Sequence, residues 1–122
     1  MAGDKVRVLI ADDHRLVSLG LRMVLERAGM EVVGEAATGR LAVEMAERLE
    51  PDVVLLDILM PDMDGLQALG AIRSGLPHAS IIIITAYARP DFLARAIAMG
   101  AAGYITKDED PAKIPVAVRA VV

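Results

Sequence analysis

The stretch Val53-Val54-Leu55-Leu56-Asp57-Ile58-Leu59-Met60-Pro61-Asp62-Met63-Asp64-Gly65 decides how this chain is read. A run of apolar, strand-forming residues ends abruptly on a carboxylate. An uninterrupted apolar run bounded by turn residues reads as a strand covered on both faces, as in a parallel sheet. Burying an unpaired carboxylate at the end of such a strand is costly, so Asp57 needs a partner or a chemical role.

The same pattern recurs on either side. Val6–Ala11 (VRVLIA), Glu31–Ala36 (EVVGEA), Ser80–Thr85 (SIIIIT) and Gly103–Thr106 (GYIT) are the other strand candidates. Helical periodicity fills the gaps. Leu16, Leu19, Met23 and Val24 share one face, as do Ala42, Met45, Ala46 and Leu49, and Leu93, Ala96, Ile97 and Gly100. Gly29 and Gly100 stand where helix C-caps belong. Asp110 reads as an N-cap with Pro111 at the first helical position. That places Pro115 about one turn into the last helix, where it should disturb the hydrogen-bond ladder. Alternating strand and helix signals predict one α/β domain over residues 1–122. Its expected core is a doubly wound, five-stranded parallel sheet with helices on both faces.

Composition narrows the function classes. The chain has 122 residues, enough to bury roughly two-thirds of its unfolded surface. It is 55% hydrophobic but only 2% aromatic, so the core must be built from aliphatic side chains and Met. There is no Cys, which excludes disulfides, thiolate metal sites and thiol nucleophiles. No apolar run approaches the ~18 residues of a membrane helix, and MAGDKVRV has no secretory pattern. A cytoplasmic setting without membrane contact is the expectation. The net charge of −4 gives this domain no footprint for nucleic acid. The chain stops at AVRAVV without a capping signal, and the expectation is that more protein follows in the natural product or that this is an excised domain.

In an open parallel α/β sheet, ligands bind beyond the carboxyl ends of the strands. The first strand ends in Asp12 and Asp13, the third in Asp57, the fourth in Thr85 and the fifth in Lys107. At ~4 Å and an effective dielectric near 20, each carboxylate pair costs roughly 4 kcal/mol. One Lys is insufficient for three acids, and a divalent cation is the natural addition. All the donors are oxygens, which suits Mg²⁺, Mn²⁺ or Ca²⁺ and argues against zinc. Mg²⁺ typically completes its shell with water and phosphate oxygens. Thr85 and Lys107 would hold the phosphoryl oxygens that the metal does not reach. Asp57, between metal and ammonium, can then act as a nucleophile towards phosphorus.

Each residue alone has a plainer reading. Asp12 and Asp13 could be helix caps, Asp57 a strand-end acid, and Thr85 and Lys107 structural or solvated groups. Their joint placement at strand ends makes coincidence the weaker account. Asp62 and Asp64 fall within Pro-Asp and Asp-Gly turn chemistry, with Asp64 a candidate cap of the next helix, and are left out of the site. His14 reads as a first-turn residue rather than a metal ligand. An EF-hand loop would need acids at Met60 and Ala71, and a cobalamin-type D-x-H-x-x-G would need Gly at Val17. The chain has neither GxGxxG nor GxxxxGK[ST].

Ile10-Ala11-Asp12-Asp13-His14, Leu56–Gly65, Thr85-Ala86 and Gly103–Asp108, in this order and spacing, resemble the receiver domain of two-component response regulators. The opening Asp-Asp-His and the closing Gly-Tyr-x-x-Lys-Asp resemble the NarL/FixJ type, which carries a LuxR-like helix-turn-helix DNA-binding domain after the receiver. The resemblance implies a flavodoxin-like strand order 2-1-3-4-5. It implies that Asp57 accepts a phosphoryl group from a sensor histidine kinase. By the same similarity, Asp13, Asp57 and the backbone carbonyl of Leu59 ligate Mg²⁺, with Mn²⁺ as the alternative, and Asp12 acts through water. Thr85 and Lys107 bind the phosphoryl oxygens, and Tyr104 is the rotating aromatic that reports the movement of Thr85. A homodimer on phosphorylation is the implied partner state, with Pro115 a departure in the helix many relatives use for it. Leu59 and Tyr87 flank the water's approach to phosphorus and offer no group to orient it, so they are expected to lengthen the phosphorylated lifetime.

Two other classes compete. An aspartate-nucleophile phosphohydrolase needs a general acid two residues after the nucleophile, where this chain has Leu59. A receiver-like module that binds partners without phosphorylation should have lost an acid or Lys107, and all are present.

Overall fold

The computed structural model describes residues 5–60, 62–86 and 89–122. The elements follow the chain as β1 (Arg7–Ala11), α1 (Arg15–Arg27), β2 (Glu31–Ala36), α2 (Gly39–Leu49), β3 (Val53–Asp57), α3 (Gly65–Gly75), β4 (Ser80–Thr85), α4 (Pro90–Ala98), β5 (Gly103–Thr106) and α5 (Lys113–Val121). The five strands form one parallel sheet in the order β2-β1-β3-β4-β5. A short antiparallel ladder, Leu59–Met60 with Met63–Asp64, folds the segment between β3 and α3.

The side-chain alternation of β1, β3 and β4 divides the core in two. Leu9, Val54, Leu56, Ile81 and Ile83 pack against Ala42 and Ala46 of α2, Leu69 and Ile72 of α3 and Ala96 of α4. Val8, Ile10, Val53, Leu55, Ile82 and Ile84 pack on the other face against Leu21 and Leu25 of α1 and Ile114 and Val118 of α5. Every residue of β3 is buried, as its apolar run predicts. Among the described residues no helix is long and apolar enough to cross a membrane.

Two helix faces differ from the sequence expectation. On α1, Leu16, Leu19 and Met23 are exposed, while Leu21, Leu25 and Ser18 turn inward. The helix is apolar on more than one stripe, so periodicity alone admits both rotations. Arg22, whose guanidinium bonds Glu35 of β2 at 2.7 Å, fits the observed one. On α4, Ile97 is exposed, and the seam is made instead by Phe92 and Ala96 one turn apart.

The expected disturbance at Pro115 is absent. Asp110 and Pro111 form a separate turn, with Lys113 N–H donating to the Asp110 carbonyl and Ala112 N–H to the Asp110 carboxylate. The helix begins only at Lys113, so Pro115 lies in its first turn, where a missing N–H costs little. Gly29 and Gly100 do follow α1 and α4 with positive φ, as helix-terminating glycines should.

Strand register builds the functional end of the sheet. Ala11 pairs with Leu56, Asp57 with Ile84, and Thr85 with Thr106. Asp12, Asp57, Thr85 and Lys107 therefore emerge side by side at one sheet edge. Behind them Gly65 touches the backbone at Ile58. A Cβ at Gly65 would stand 2.7 Å from both the Cβ and the carbonyl oxygen of Ile58. Gly65→Ala should destabilise the domain by about 1–3 kcal/mol, the usual scale of overpacking. Urea unfolding checks this, and a loss below about 0.5 kcal/mol, the range of a neutral surface change, would show that the loop yields freely.

Candidate functional site

Asp57 is the last residue of β3 and is 1% exposed. Its Oδ1 accepts the Leu59 N–H at 2.9 Å, an Asx-type bond that turns the chain out of the sheet. Its Oδ2 accepts a bond from Lys107 Nζ at 3.0 Å. Asp12, directly after β1, is buried too, and its backbone N–H continues the β1–β2 ladder onto Ala36. Asp12 Oδ1 accepts the His14 N–H at 2.8 Å, which starts α1. Asp12 Oδ2 pairs with Lys107 Nζ at 2.9 Å. One ammonium thus spans two buried carboxylates.

Thr85 closes β4 fully buried, and its carbonyl accepts the Lys107 N–H at 2.7 Å. Asp13 sits at the rim, more open than Asp12. Leu59 directs its side chain outward at 49% exposure, and Tyr104 on β5 is 44% exposed. Tyr87 lies outside the described residues. The structure therefore brings together Asp12, Asp13, Asp57, Thr85 and Lys107, with the Leu59 backbone tied to Asp57.

The fit to a cation can be tested on these atoms. Asp12, Asp13, His14 and Asp57 each offer a ligand atom, all within 4.8 Å of one another. The cluster holds three carboxylates, and the one ammonium beside it contacts only Asp12 and Asp57. A hard divalent cation suits that donor set.

Asp62, assigned to turn chemistry by sequence, does more. Its carboxylate accepts the Gly39 N–H at 2.8 Å and the Arg40 N–H at 3.1 Å, capping α2 from outside its own segment. Thr38 caps the same helix locally by accepting the Leu41 N–H. These bonds, first that of Arg40 and then that of Gly39, hold the Asp62 carboxyl below its ordinary value. They also pin the segment that carries Leu59 against α2. The sequence holds no local signal for a cap donated by a residue so distant in the chain.

Burial pushes the Asp57 carboxyl above its ordinary value, against the opposing bonds from Leu59 and Lys107, and Asp12 pushes it further up. For Lys107, burial works downward, but the carboxylates of Asp12 and Asp57 outweigh it and the ammonium titrates above its usual value. An acid whose folded pKa is raised leaves the native state unpenalised below the ordinary carboxylate value, and stability falls as pH rises through the raised value. Asp57→Asn should therefore raise the melting temperature at pH 7. The gain should shrink as pH is lowered towards the ordinary Asp value of about 3.9. A neutral-pH melting temperature equal to or below that of the wild type would contradict a net cost at Asp57.

Comparison with known proteins places this geometry. Residues 8–119 match the response regulator receiver domain family. The transcriptional regulatory protein YhcZ of Bacillus subtilis is 40% identical over 110 residues, covering 89% of this chain and 51% of YhcZ. The response regulator protein VraR of Staphylococcus aureus strain COL is 37% identical, covering 93% of this chain and 55% of VraR. The chain thus spans about half the length of these relatives. Among solved structures, the NarL signal receiver domain of Mycobacterium tuberculosis superposes with a TM-score of 0.90 at 41% identity, covering 96% of this chain and 95% of that one. The CheY of a CheX–CheY–BeF₃–Mg²⁺ complex from Borrelia burgdorferi does so with a TM-score of 0.90 at 32% identity, covering 94% and 87%. With its sheet order, its strand-end acids and its lysine all in place, this chain belongs to the response regulator receiver domain family.

Proposed function

We propose that this domain is a phosphorylation-activated switch in which the Asp57 carboxylate accepts a phosphoryl group from a sensor histidine kinase. The observation that carries the reading is the buried Asp57 carboxylate, held by Lys107 and the Leu59 N–H beside a cluster suited to a divalent cation. In the transfer, an Asp57 oxygen forms a bond to phosphorus. The bond from phosphorus to the kinase imidazole nitrogen breaks, and its electron pair leaves with the imidazole. Lys107 is positioned to meet the incoming phosphoryl charge, and the buried Thr85 stands beside it on the neighbouring strand. Asp13, Asp57 and the Leu59 carbonyl would hold Mg²⁺ or Mn²⁺, with Asp12 acting through water. When bound, the cation supplies charge neutralisation for the phosphoryl oxygens.

The activated domain would act on transcription through a C-terminal helix-turn-helix DNA-binding domain in a longer protein. The transcriptional regulators among its relatives support that output. The unbroken α5, with Val116 exposed, supports a homodimer of the phosphorylated form. The domain itself is a switch rather than a turnover enzyme, limited to slow self-phosphorylation from a small phosphodonor and slow self-dephosphorylation in a cytoplasmic setting.

Intact mass after incubation with acetyl phosphate and Mg²⁺ should show one added phosphoryl group, absent in Asp57→Asn. Mg²⁺ at ten times its Kd should stabilise the wild type by about 1.4 kcal/mol. Asp13→Ala should lose that gain, while Lys107→Ala should keep it and lose the spectral changes that follow phosphorylation. Phosphate on Asp57→Asn, or an undiminished Mg²⁺ gain in Asp13→Ala, would overturn the assignment.

The lifetime of the phosphoryl group is set, in this reading, by side chains covering it. Leu59 stands at the rim without a group to orient water, and Tyr87 is assigned the same part from sequence. General acid–base help is worth ~10²–10⁴-fold, so supplying part of it through Leu59→Asn should speed dephosphorylation on the order of tenfold. A rate equal to that of the wild type would remove Leu59 from the explanation.

A further inference from the structure

The start of α2 depends on a residue of the loop that leaves Asp57. The first N–H groups of a helix have no partner within it. In α2, side chains meet three of them. Thr38 accepts the Leu41 N–H, while Asp62 accepts those of Gly39 at 2.8 Å and Arg40 at 3.1 Å. Gly39 is buried, so its N–H has no ready exchange for water if Asp62 withdraws. Asp62 itself stands at the turn of the short ladder that pairs Leu59 with Asp64 and Met60 with Met63. At the base of that ladder the Leu59 N–H bonds Asp57. Met60 is buried, but the Leu59 side chain is 49% exposed, so packing does not fix the Leu59 peptide. On the far side, α2 follows β2, whose last residue, Ala36, accepts the Asp12 N–H at 3.0 Å. A strap of bonds and short chain segments thus runs from Asp57 through Leu59 and Asp62 to the first turn of α2, and back to Asp12.

We propose that Asp62 is a positioning residue of the cation site, and that cation loading is coupled through it to the first turn of α2. This rests on the reading of Asp13, Asp57 and the Leu59 carbonyl as cation ligands. With the strap closed, the Leu59 peptide is held in place before a cation arrives, and little order is lost on binding. With it open, part of the binding energy goes into ordering the ladder. Coupling of this kind is reciprocal. A cation that holds Leu59 also holds Asp62 on Gly39 and Arg40. The first turn of α2, where Arg40 and Leu41 are exposed, thereby reports whether the site is loaded.

The test is calorimetric titration with MgCl₂ of the wild type, Asp62→Ala, Asp62→Asn and Asp52→Asn, with amide exchange at Gly39 and Arg40 followed by NMR. Asp52 lies just before β3, at the opposite end of that strand from Asp57, where its carboxylate accepts the Arg7 N–H. Asp52→Asn removes the same charge without touching the strap. Affinity can fall by no more than the cap contributes, so Asp62→Ala should weaken Mg²⁺ by about fivefold, the equivalent of a typical capping bond. Asp62→Asn keeps an acceptor oxygen for the Gly39 N–H and should recover most of that loss, and Asp52→Asn should match the wild type. In the wild type, saturating Mg²⁺ should slow exchange of the Gly39 and Arg40 amides by the same factor, as reciprocity requires. In Asp62→Ala it should leave them unchanged. A role confined to capping α2 would lower stability without moving either the Mg²⁺ affinity or this cation-dependent protection. Equal Mg²⁺ affinity in the wild type and Asp62→Ala overturns the proposal. So does an equal loss in both Asp62 variants or in Asp52→Asn, which would assign the effect to charge alone. Should Asp62→Ala fail to fold, the exchange measurement on the wild type decides, and unchanged Gly39 and Arg40 amides at saturating Mg²⁺ overturn the coupling. Absence of Mg²⁺ binding to the wild type would overturn the cation-site reading itself, so the two failures are distinguishable.

Discussion

The Lys107 ammonium, 2.9 Å from Asp12 and 3.0 Å from Asp57, is the interaction on which the functional end of this molecule depends. The two acids leave β1 and β3, which are neighbours at the centre of the sheet, and the lysine arrives from β5 at its edge. It reaches across β4 to do so. Two carboxylates emerging from a dry sheet repel each other and lose hydration. The ammonium makes their proximity tolerable. The burial that weakens it is outweighed by the same two carboxylates, so it remains charged.

This arrangement leaves the site incompletely compensated. Lys107 meets one oxygen of each buried acid, the Asp57 carboxyl is still raised above its ordinary value, and Asp13 adds another carboxylate at the rim. Fold stability alone would favour fewer acids here. The uncompensated charge has a use if a cation and a phosphoryl group enter, because each brings what the resting site lacks. Charge is added to a frame that is already rigid: β3 is wholly buried, and the segment after it is tied to Asp57, to its own short ladder and to α2 through Asp62. Reorganisation is then small, which favours electrostatic work at a preformed site.

Much of this was legible in the sequence, for a specific reason. Parallel strands buried on both faces read as apolar runs, and the residue ending each run must lie at the carboxyl edge, so Asp12, Asp57, Thr85 and Lys107 followed from strand assignment alone. Helix rotation was less legible. The first helix is apolar on two stripes, and only its packing under β1 and β3 selects Leu21 and Leu25 over Leu16 and Leu19. Pro115 misled because the start of α5 was placed at Asp110 and Pro111, which instead form their own turn. Asp62 was missed because its partners, Gly39 and Arg40, are backbone groups of another unit, and local turn chemistry explains an Asp after Pro equally well.

The backbone bond from the Lys107 N–H to the Thr85 carbonyl gives the proposed switch its route outward. Thr85 cannot shift towards a phosphoryl group without acting on the chain that carries Lys107, because the two are joined by this bond at the end of the β4–β5 ladder. That ladder pairs Thr85 with Thr106 and Ile83 with Tyr104. Tyr104 is the large ring on β5, and it rests partly in solvent. In the proposed switch, space opened by a movement of Thr85 would be taken by the Tyr104 ring. Entry would bury apolar ring surface at ~25 cal/mol per Å², a gain set against the rearrangement of β4 and β5. In this scheme phosphorylation need not drive the whole change. It needs to favour one of two packings of the same pair of residues, and its differential interaction with Thr85 and Lys107 sets how far the population moves.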